Sequence, residues 1–388
     1  MKSGQKTEKE KKMNIKSFTF IAAFIAATNI NYAAQNGAAN NESGSSSAQA
    51  QAGAQAQAGA QAKTQAQAAQ QNVAESGKNT AAVAENAVEK KSAQSGGNSG
   101  RAKPAEKGAP LPLLTLDGVG GVVITPIAYL VNPGAEGTQI GKPSFGATYV
   151  NARQKNVESF GVTETLFTRL ELGYNASRFG TGSLQTDVLK YAGADIERND
   201  VWLHTFNARF NAIRENDFGT SYLPAITLGV HGKINDGIGE INDNLGGLLD
   251  SIGYSRPYGV EFTITASKAF AIEGHPVIFS ITGRASDASN LGYTGYSGKY
   301  EFSAEGNVVV GITGWLFAAF EYRQKINQYD TVSAGGRELI GAENDWWTVG
   351  LAAIVSPHLT VTAGYGHLGT VLNTTENTAW ALAAKYEF

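Results

Sequence analysis

The chain ends on the stretch Asn377-Thr378-Ala379-Trp380-Ala381-Leu382-Ala383-Ala384-Lys385-Tyr386-Glu387-Phe388, and this stretch decides the fold class. Side chains along a β-strand point alternately to its two faces. One face carries the large apolar side chains, whereas the other carries Ala381, Ala383, Lys385 and Glu387. The alternation predicts a strand with one apolar face and one mixed polar face.

Eleven further runs upstream alternate in the same way. They fall at residues 144–152, 156–162, 166–175, 200–211, 224–233, 257–269, 276–284, 299–310, 316–323, 345–355 and 359–366. Most are close to the roughly 9 to 11 residues that a tilted strand needs to cross a membrane, although 156–162 is short. The twelve runs together predict a closed sheet that spans a bilayer.

The connections between the runs point to the same architecture. Counted back from a periplasmic C-terminus, the joints 311–314 and 270–275 are short, whereas 324–344 and 234–256 are long. Outer-membrane barrels alternate short periplasmic turns with longer external loops, and termini on one side require an even number of strands. We therefore predict an all-β fold, an antiparallel transmembrane β-barrel of about twelve strands, within ten to fourteen, over residues 144–388.

The N-terminal part has the composition of an export signal followed by a tether. Residues 1–34 place lysines before a short apolar run, Phe18 to Ile30, and end in small residues, which is typical of a signal peptide. The Gln/Ala-rich residues 35–108 contain no Phe, Trp, Tyr, Leu, Ile or Met. Because burial cannot offset the entropy of ordering such a segment, we predict a disordered tether.

Residues 109–143 fit neither the tether nor the regular strands. They include the apolar run from Val119 to Val131, but Pro126 lies in its middle and cannot donate to a β-ladder. A thirteenth strand would also break the even count. We expect a segment inside or beneath the barrel, with an irregular first strand as the alternative.

The composition excludes several classes of site. The 388 residues contain no Cys, so thiolate metal sites, cysteine nucleophiles and disulfides are absent. With 31 Lys and Arg against 34 Asp and Glu, the chain has no basic footprint for nucleic acid. Glycine-rich stretches such as Gly118 to Gly121 precede no helix, so a phosphate-binding loop is not expected. No cofactor is predicted.

The final residues resemble a known signal. Tyr386-Glu387-Phe388, with an aromatic terminus on the apolar face, is similar to the C-terminal assembly signal of bacterial outer-membrane β-barrels. The resemblance implies recognition of the last strand by the barrel-assembly machinery, with Tyr386 and Phe388 as the recognised side chains. It also implies the outer membrane of a Gram-negative bacterium as the location, after signal-peptide cleavage, and outer-membrane lipid as a partner.

A second resemblance covers roughly residues 115 to 388. It is carried by Gly118-Val-Gly-Gly-Val122, Thr125-Pro-Ile-Ala-Tyr-Leu130, Val162-Thr-Glu-Thr-Leu-Phe167, Arg169-Leu-Glu-Leu-Gly-Tyr174, Lys233-Ile-Asn-Asp-Gly237 and Lys385-Tyr-Glu-Phe388. These motifs resemble a proteobacterial family of presumed outer-membrane proteins catalogued only as a domain of unknown function. The resemblance implies a barrel and no particular substrate.

If the apolar faces look outward, the barrel lumen receives charges of both signs. The candidate lumen-lining residues are Arg169, Glu171, Arg209, Lys233, Glu261, Arg284, Glu301, Glu305, Glu321, Arg323 and Lys385. Such charges can line a selective wet channel. Alternatively, they pair across a narrow lumen and hold a closed barrel together.

The external loop 234–256 combines acidic and apolar residues. Asp236, Glu240 and Asp243 are weak candidates for calcium ligands, because their spacing is not that of an EF-hand and solvated charges explain them equally well. Ile238, Ile241, Leu245, Leu248, Leu249 and Ile252 predict a short amphipathic helix. We expect it to fold into the barrel mouth and form a gating constriction.

These observations favour a porin-like channel that passes small polar solutes or assists export of an envelope polymer such as a polysaccharide. One alternative is a closed structural barrel that engages other envelope components. A second is an outer-membrane hydrolase, for which His204, between Trp202 and Phe206, is the only histidine in a suggestive setting. No Ser lies in a Gly-x-Ser-x-Gly motif, so we do not expect an enzyme.

Overall fold

The computed structural model describes residues 112–388 except Asn216. The predicted signal peptide, 1–34, and the predicted tether, 35–108, lie outside the described residues. Twelve strands form the body of the fold. The first six are β1 (Ser144–Ala152), β2 (Lys155–Leu166), β3 (Leu170–Gly180), β4 (Asp200–Ile213), β5 (Ala225–Asp236) and β6 (Tyr258–Ile272). The remaining six are β7 (His275–Ala288), β8 (Tyr296–Gly311), β9 (Leu316–Arg323), β10 (Trp346–Ser356), β11 (Leu359–His367) and β12 (Ala379–Glu387).

Each strand pairs antiparallel with its neighbour in the chain, and the ring closes between the last strand and the first. In that closing ladder Trp380 of β12 lies opposite Asn151 of β1, and Glu387 lies opposite Ser144. The result is a closed barrel of twelve strands, so the predicted fold class is confirmed. Among the described residues, no helix is both long enough and apolar enough to cross a membrane.

One predicted strand boundary is wrong. The sequence pattern predicts a joint at 163–165, between the runs 156–162 and 166–175, but β2 continues to Leu166 and the turn follows it. Phe167 and Thr168 adopt positive φ values of 51° and 57°, which close the tight turn despite their side chains. The strand continues through Thr163 and Thr165 because both point into the barrel and are fully buried there.

The outer surface of the barrel is apolar and aromatic. Phe160, Phe302, Ile264 and Leu382 are each more than half exposed on outward-facing strand positions, and every other strand also carries an exposed apolar or aromatic side chain. Their inward neighbours are buried, as the two-residue period requires. A continuous apolar exterior on strands of this length is suited to hydrocarbon, so the barrel spans a membrane.

The two ends of the barrel differ. The end that carries the C-terminus has short turns, such as 273–274 and 357–358, and we call it the turn end. The opposite end, the loop end, carries the long connections. These contain the helices α1 (Leu184–Ala192), α2 (Ile238–Asn244) and α3 (Leu248–Ser251), together with two hairpins, Val332–Ala334 with Arg337–Ile340 and Gly369–Val371 with Thr374–Glu376.

Residues 112–131, which we call the plug, lie inside the barrel. Leu113–Leu114 pairs with Gly120–Gly121, and nearly every residue of the plug is buried. Gly121 is required at its position, because a Cβ there would lie 2.3 Å from the carbonyl oxygen of Thr125. Residues 132–143 then follow the turn end, where the Gly141 N–H donates to the carbonyl of Thr165. The segment therefore forms no thirteenth barrel strand.

We predict that Phe388→Ala reduces the amount of assembled barrel about threefold, because it removes an aromatic contact across the closing seam. The Phe388 ring lies 5.6 Å from Phe145 of β1 and 5.0 Å from Tyr386. The measurement is the fraction of protein that shows heat-modifiable gel migration in outer-membrane fractions. Phe302→Ala, on the outer face of β8 away from the seam, is the control; an equal loss in both variants would contradict a special role for the C-terminal strand.

Candidate functional site

The plug is held by an ion pair inside the barrel. Arg209 of β4 and Glu171 of β3 lie opposite each other, and both guanidinium contacts to the carboxylate measure 2.8 Å. Glu171 also accepts the N–H groups of Gly120 and Val131, while Arg209 donates to the carbonyls of Gly120 and Ile127. The pair therefore binds plug backbone directly; the Gly120 carbonyl accepts both from Arg209 and from the Ile127 N–H within the plug.

A second carboxyl group holds the plug on the opposite side of the lumen. Oε1 of Glu321, on β9, accepts three consecutive plug N–H groups, those of Val123, Ile124 and Thr125, at 2.9 to 3.1 Å. The Thr125 hydroxyl donates to the same oxygen at 2.8 Å. Oε2 accepts instead from the Thr348 hydroxyl on β10. All four bonds to the plug thus converge on one oxygen atom, a backbone concavity that suits an anion.

Six charges form a third anchor, between the plug and strands β5 to β9. Lys233 lies 2.8 Å from Asp117 of the plug and 3.2 Å from Glu261, measured from Nζ to the carboxylate oxygens. Arg284 pairs with Glu261 and Glu305, and Arg323 lies 3.6 Å from Asp117. The three cations balance the three anions, which is necessary because all six are buried.

Nine of the eleven charged residues predicted to line the lumen are buried there. The ninth, Lys385 of β12, donates to the carbonyl of Pro112 at the start of the plug and pairs with Glu387. Two lie elsewhere. Arg169 lies in the turn after β2 and not in the lumen, because this turn begins later in the chain than predicted. It pairs there with Asp217. Glu301 is exposed near the loop end, beyond the reach of the plug.

The three weak metal candidates are not brought together. Glu240, on α2, forms an ion pair of 2.6 Å with Arg198, while Asp236 ends β5 and Asp243 follows on α2. Across the part of the chain that the structure describes, no three His, Asp or Glu side chains converge as metal ligands. The three carboxylates are therefore not gathered at one point, and Glu240 is already paired with Arg198.

Sequence reasoning missed a row of apolar residues on the inner wall. Nine directly paired residues on nine successive strands form this apolar row: Ile278, Val309, Ala319, Gly350, Gly364, Ala381, Val150, Val157 and Phe179. Because the strands tilt relative to the barrel axis, a row of residues paired across neighbouring strands runs obliquely from one end of the barrel towards the other. It starts near the turn end at Ile278 and reaches the loop end at Phe179.

The apolar row borders a cavity in the lumen of about 80 Å³. All nine of its residues line this cavity, which we call the lumen cavity. The plug closes the opposite side with Leu113, Leu116, Val123 and Ile127. The small side chains at Gly350, Gly364 and Ala381 leave the space open between larger neighbours on the same strands, such as Trp346, Thr348 and Thr362.

The lumen therefore has two chemically distinct sides. One side carries the charged and hydroxyl groups that bind the plug backbone, from Glu171 on β3 to Glu321 on β9. The other carries the apolar row. An apolar wall facing an apolar plug surface cannot solvate an ion, but it can accept a hydrocarbon-like molecule.

His204 lies on the outside of the barrel. Its Nδ1 is 2.8 Å from the Tyr174 hydroxyl of the neighbouring strand, and the two rings stack at 6.2 Å. Among the hydrogen bonds of the described residues, no serine or carboxylate contacts this histidine. The arrangement is that of an interfacial aromatic residue.

We predict that Glu321→Ala releases the plug, whereas Glu321→Gln retains it. The alanine leaves three buried N–H groups without an acceptor, at a cost of about 1–3 kcal/mol each. The glutamine keeps an oxygen at the position of Oε1, and Thr348 can accept from its amide. In planar bilayers, Glu321→Ala should show single-channel openings at least about tenfold more often than the wild type, while Glu321→Gln should not. Equal behaviour of the two variants would show that this clamp does not hold the plug.

Several solved outer-membrane protein structures are similar to the chain at low sequence identity. The chain is 10% identical to the outer membrane protein Omp33 of Acinetobacter baumannii, with a TM-score of 0.33 over 64% of this chain and 99% of that one. It is 11% identical to the COG4313 outer membrane channel of Pseudomonas putida F1, with a TM-score of 0.38 over 68% of this chain and 100% of that one. It is 11% identical to LpxR from Salmonella typhimurium, with a TM-score of 0.39 over 63% of this chain and 100% of that one.

At these identities and TM-scores, the likenesses do not bear on function. No curated protein matches the chain. A family model described as "Protein of unknown function (DUF3034)" matches residues 112–385, which takes in the plug and all but the end of the last strand. The chain, whose described residues form a closed β-barrel, belongs to this family of proteins of unknown function.

Proposed function

We propose that the protein is an outer-membrane channel for small apolar molecules and that the plug closes it at rest. The apolar row is the single observation that carries this proposal. The turn end, with its short connections, would face the periplasm, and the loop end would face the exterior. The outer membrane is the bacterial membrane in which such barrels reside, and the apolar exterior of this one suits that location.

The chemistry of the apolar row supports an apolar cargo. The row begins beside the external loops at Phe179 and descends to Ile278 near the turn end without a charged residue. A molecule moving along it would exchange one apolar contact for another and would never need to be hydrated. This path is continuous over nine strands, so it is longer than a single ligand pocket would require.

The same geometry argues against the small polar solutes that the sequence favours. The polar side of the lumen is occupied by plug backbone, and its charges are paired with one another or with that backbone. A polar solute would have to displace those bonds before it found any partner. An apolar molecule displaces none of them.

Passage to the periplasmic end requires a shift of the plug, because plug side chains close the lumen cavity on one side. The clamps at Glu171 and Glu321 hold polar backbone, while the plug side chains that line the cavity, such as Leu113, Val123 and Ile127, are apolar. An arriving ligand can therefore part the plug from the apolar wall while the clamps stay intact. A small tilt of the plug is sufficient for opening in this arrangement.

A closed structural barrel is the second candidate, and the buried network of six charges favours it, because such networks rigidify a structure. We propose no catalytic role: His204 lacks the partners of a triad within the described hydrogen bonds. Ester turnover in detergent that is lost in His204→Ala would contradict this view.

We predict that Gly364→Leu blocks the channel, whereas Ala363→Leu does not. The two residues are adjacent on β11, but Gly364 faces the lumen cavity and Ala363 faces lipid. A Cβ at Gly364 meets its nearest neighbour at 3.4 Å, so the backbone accepts the change. Cells that express the wild type should take up the apolar dye 1-N-phenylnaphthylamine several times faster than cells without it. Gly364→Leu should return uptake to background.

Three outcomes would contradict the proposal. Uptake of the dye at the background rate in cells that express the wild type would contradict the proposed channel for apolar molecules. It would favour the closed structural barrel. Equal uptake by the two leucine variants would show that the dye crosses elsewhere, for instance through a membrane weakened by expression. Steady ion conductance by the wild-type protein in planar bilayers would favour the polar pore.

A further inference from the structure

A second apolar cavity lies above the first, within the loops. It measures about 250 Å³, and we call it the loop chamber. Its walls come from α1, α2, α3, the hairpin 332–340 and the strand ends, so connections distant in sequence meet around it. Engineered cavities of about 150 Å³ with apolar walls stay dry and bind benzene. The loop chamber is larger than such a cavity.

The side chains around the loop chamber are buried aliphatic groups contributed by separate elements. Leu184 and Val188 come from α1, Ile238 and Ile241 from α2, and Leu339 from the hairpin. The apolar residues that predicted an amphipathic helix in the barrel mouth thus surround a space instead of filling the lumen. A loop cluster that served only to close the barrel would gain stability by filling this space.

The polar atoms at the loop chamber are already engaged. The Thr181 hydroxyl donates to the Asn199 carbonyl at 2.9 Å, and the Tyr329 hydroxyl donates to the Thr294 carbonyl at 2.7 Å. Burial raises the pKa of Tyr329 well above its ordinary range, so this hydroxyl keeps its proton and its role as a donor. A ligand with charges or many hydroxyl groups would find no compensation for its lost hydration.

Phe179 and Tyr293 separate the loop chamber from the lumen cavity. They are the two residues that line both spaces among the described residues. Their rings stack with centroids 5.0 Å apart and planes inclined by 26°, and the Tyr293 hydroxyl donates to Ser177 at 2.9 Å. Phe179 is also the upper end of the apolar row.

We propose that the loop chamber is a binding site for a compact aromatic or alicyclic molecule and that the Phe179–Tyr293 pair is the gate between this site and the lumen. The inference deepens the proposed function, since it names the site where the cargo first binds. Rotation of the Tyr293 ring away from Phe179, with loss of one hydrogen bond, joins the two spaces. The cargo then reaches the apolar row directly.

Photolabelling tests the site. The probe is 3-trifluoromethyl-3-phenyldiazirine, an apolar monoaromatic, added to the purified full chain in nanodiscs and mapped by mass spectrometry of peptides. We expect saturable labelling of the segments that contain Ile241 and Leu339, which lie in the loops away from lipid, and at least a fivefold loss of labelling with excess toluene. Unsaturable labelling restricted to the lipid-facing strands would overturn the site.

Two neighbours on α1 provide matched variants. Val188 is buried against the loop chamber, whereas Leu189 is 52% exposed. Val188→Trp fills the space and should abolish labelling of the loop segments, while Leu189→Trp should leave it unchanged. If Val188→Trp fails to assemble, Val188→Phe with a smaller ring serves the same purpose. Equal labelling in the filled and control variants would overturn the proposal.

The gate has its own readout. Tyr293→Phe removes the hydrogen bond to Ser177 but keeps the ring, and Tyr293→Ala removes the barrier. We expect dye uptake to rise about twofold in the first variant and at least fivefold in the second, with loop labelling retained in both. Unchanged uptake in Tyr293→Ala, in a protein whose wild type does take up the dye, would overturn the gate.

The two proposals fail separately. Labelling of the loop chamber without any dye uptake would refute the channel and leave a binding site in the loops. If Gly364→Leu blocks dye uptake but the loop chamber is not labelled, the channel proposal stands and the binding site in the loop chamber is refuted.

Discussion

The structure depends on one constraint: polypeptide backbone that enters a barrel must find hydrogen-bond partners there. The plug has little regular secondary structure, so only some of its N–H and C=O groups pair with one another, as the Ile127 N–H does with the Gly120 carbonyl. The inner wall supplies the partners through side chains. Glu171 and Glu321 accept five N–H groups between them, and Arg209 donates to three plug carbonyls. The charged residues of the lumen are therefore matched to a segment of the same chain.

This constraint explains why the two sides of the lumen differ. The strands that contact plug backbone need polar groups, and β3 to β9 supply them. On the other side, Gly350, Gly364, Ala381 and Val150 face apolar plug side chains, while Lys385 of β12 binds the Pro112 carbonyl at the start of the plug. The apolar row and its cavity follow from this division. A barrel that held water throughout would have no reason to place Gly350 beside Gly364 on an inward face.

The sequence predicts the barrel well because its outer face is unambiguous. Phe320 and Tyr322 alternate with Glu321 and Arg323, and a strand is the only regular element that separates such residues onto two faces. The lumen is harder to predict. Alternation shows that Glu321 points inward, but it cannot show that the partner is the backbone of residues 123–125, almost two hundred positions away.

The apolar row could not be read from the sequence for a related reason. It takes one residue from each of nine strands, and the register that aligns Val150 with Ala381 is fixed only when the barrel closes. Ala363 and Gly364 look alike as small residues, yet they face lipid and lumen respectively. The sequence does not predict the turn at Phe167 and Thr168, because these residues adopt positive φ values and no glycine marks the position.

Where Gly350, Gly364 and Ala381 face the cavity, the wall consists almost entirely of main chain. Its width is then set by the β-ladder, which is rigid, and hardly at all by side-chain rotamers. A methyl group added at Gly364 would narrow the bore at an ordinary 3.4 Å contact with the Val349 carbonyl oxygen. At Gly350 it would lie 3.1 Å from the Ala363 carbonyl oxygen and would require a small shift of the ladder. Members of the family could therefore differ in the size of molecule they admit through substitutions at these three positions, while the barrel and its plug stay the same.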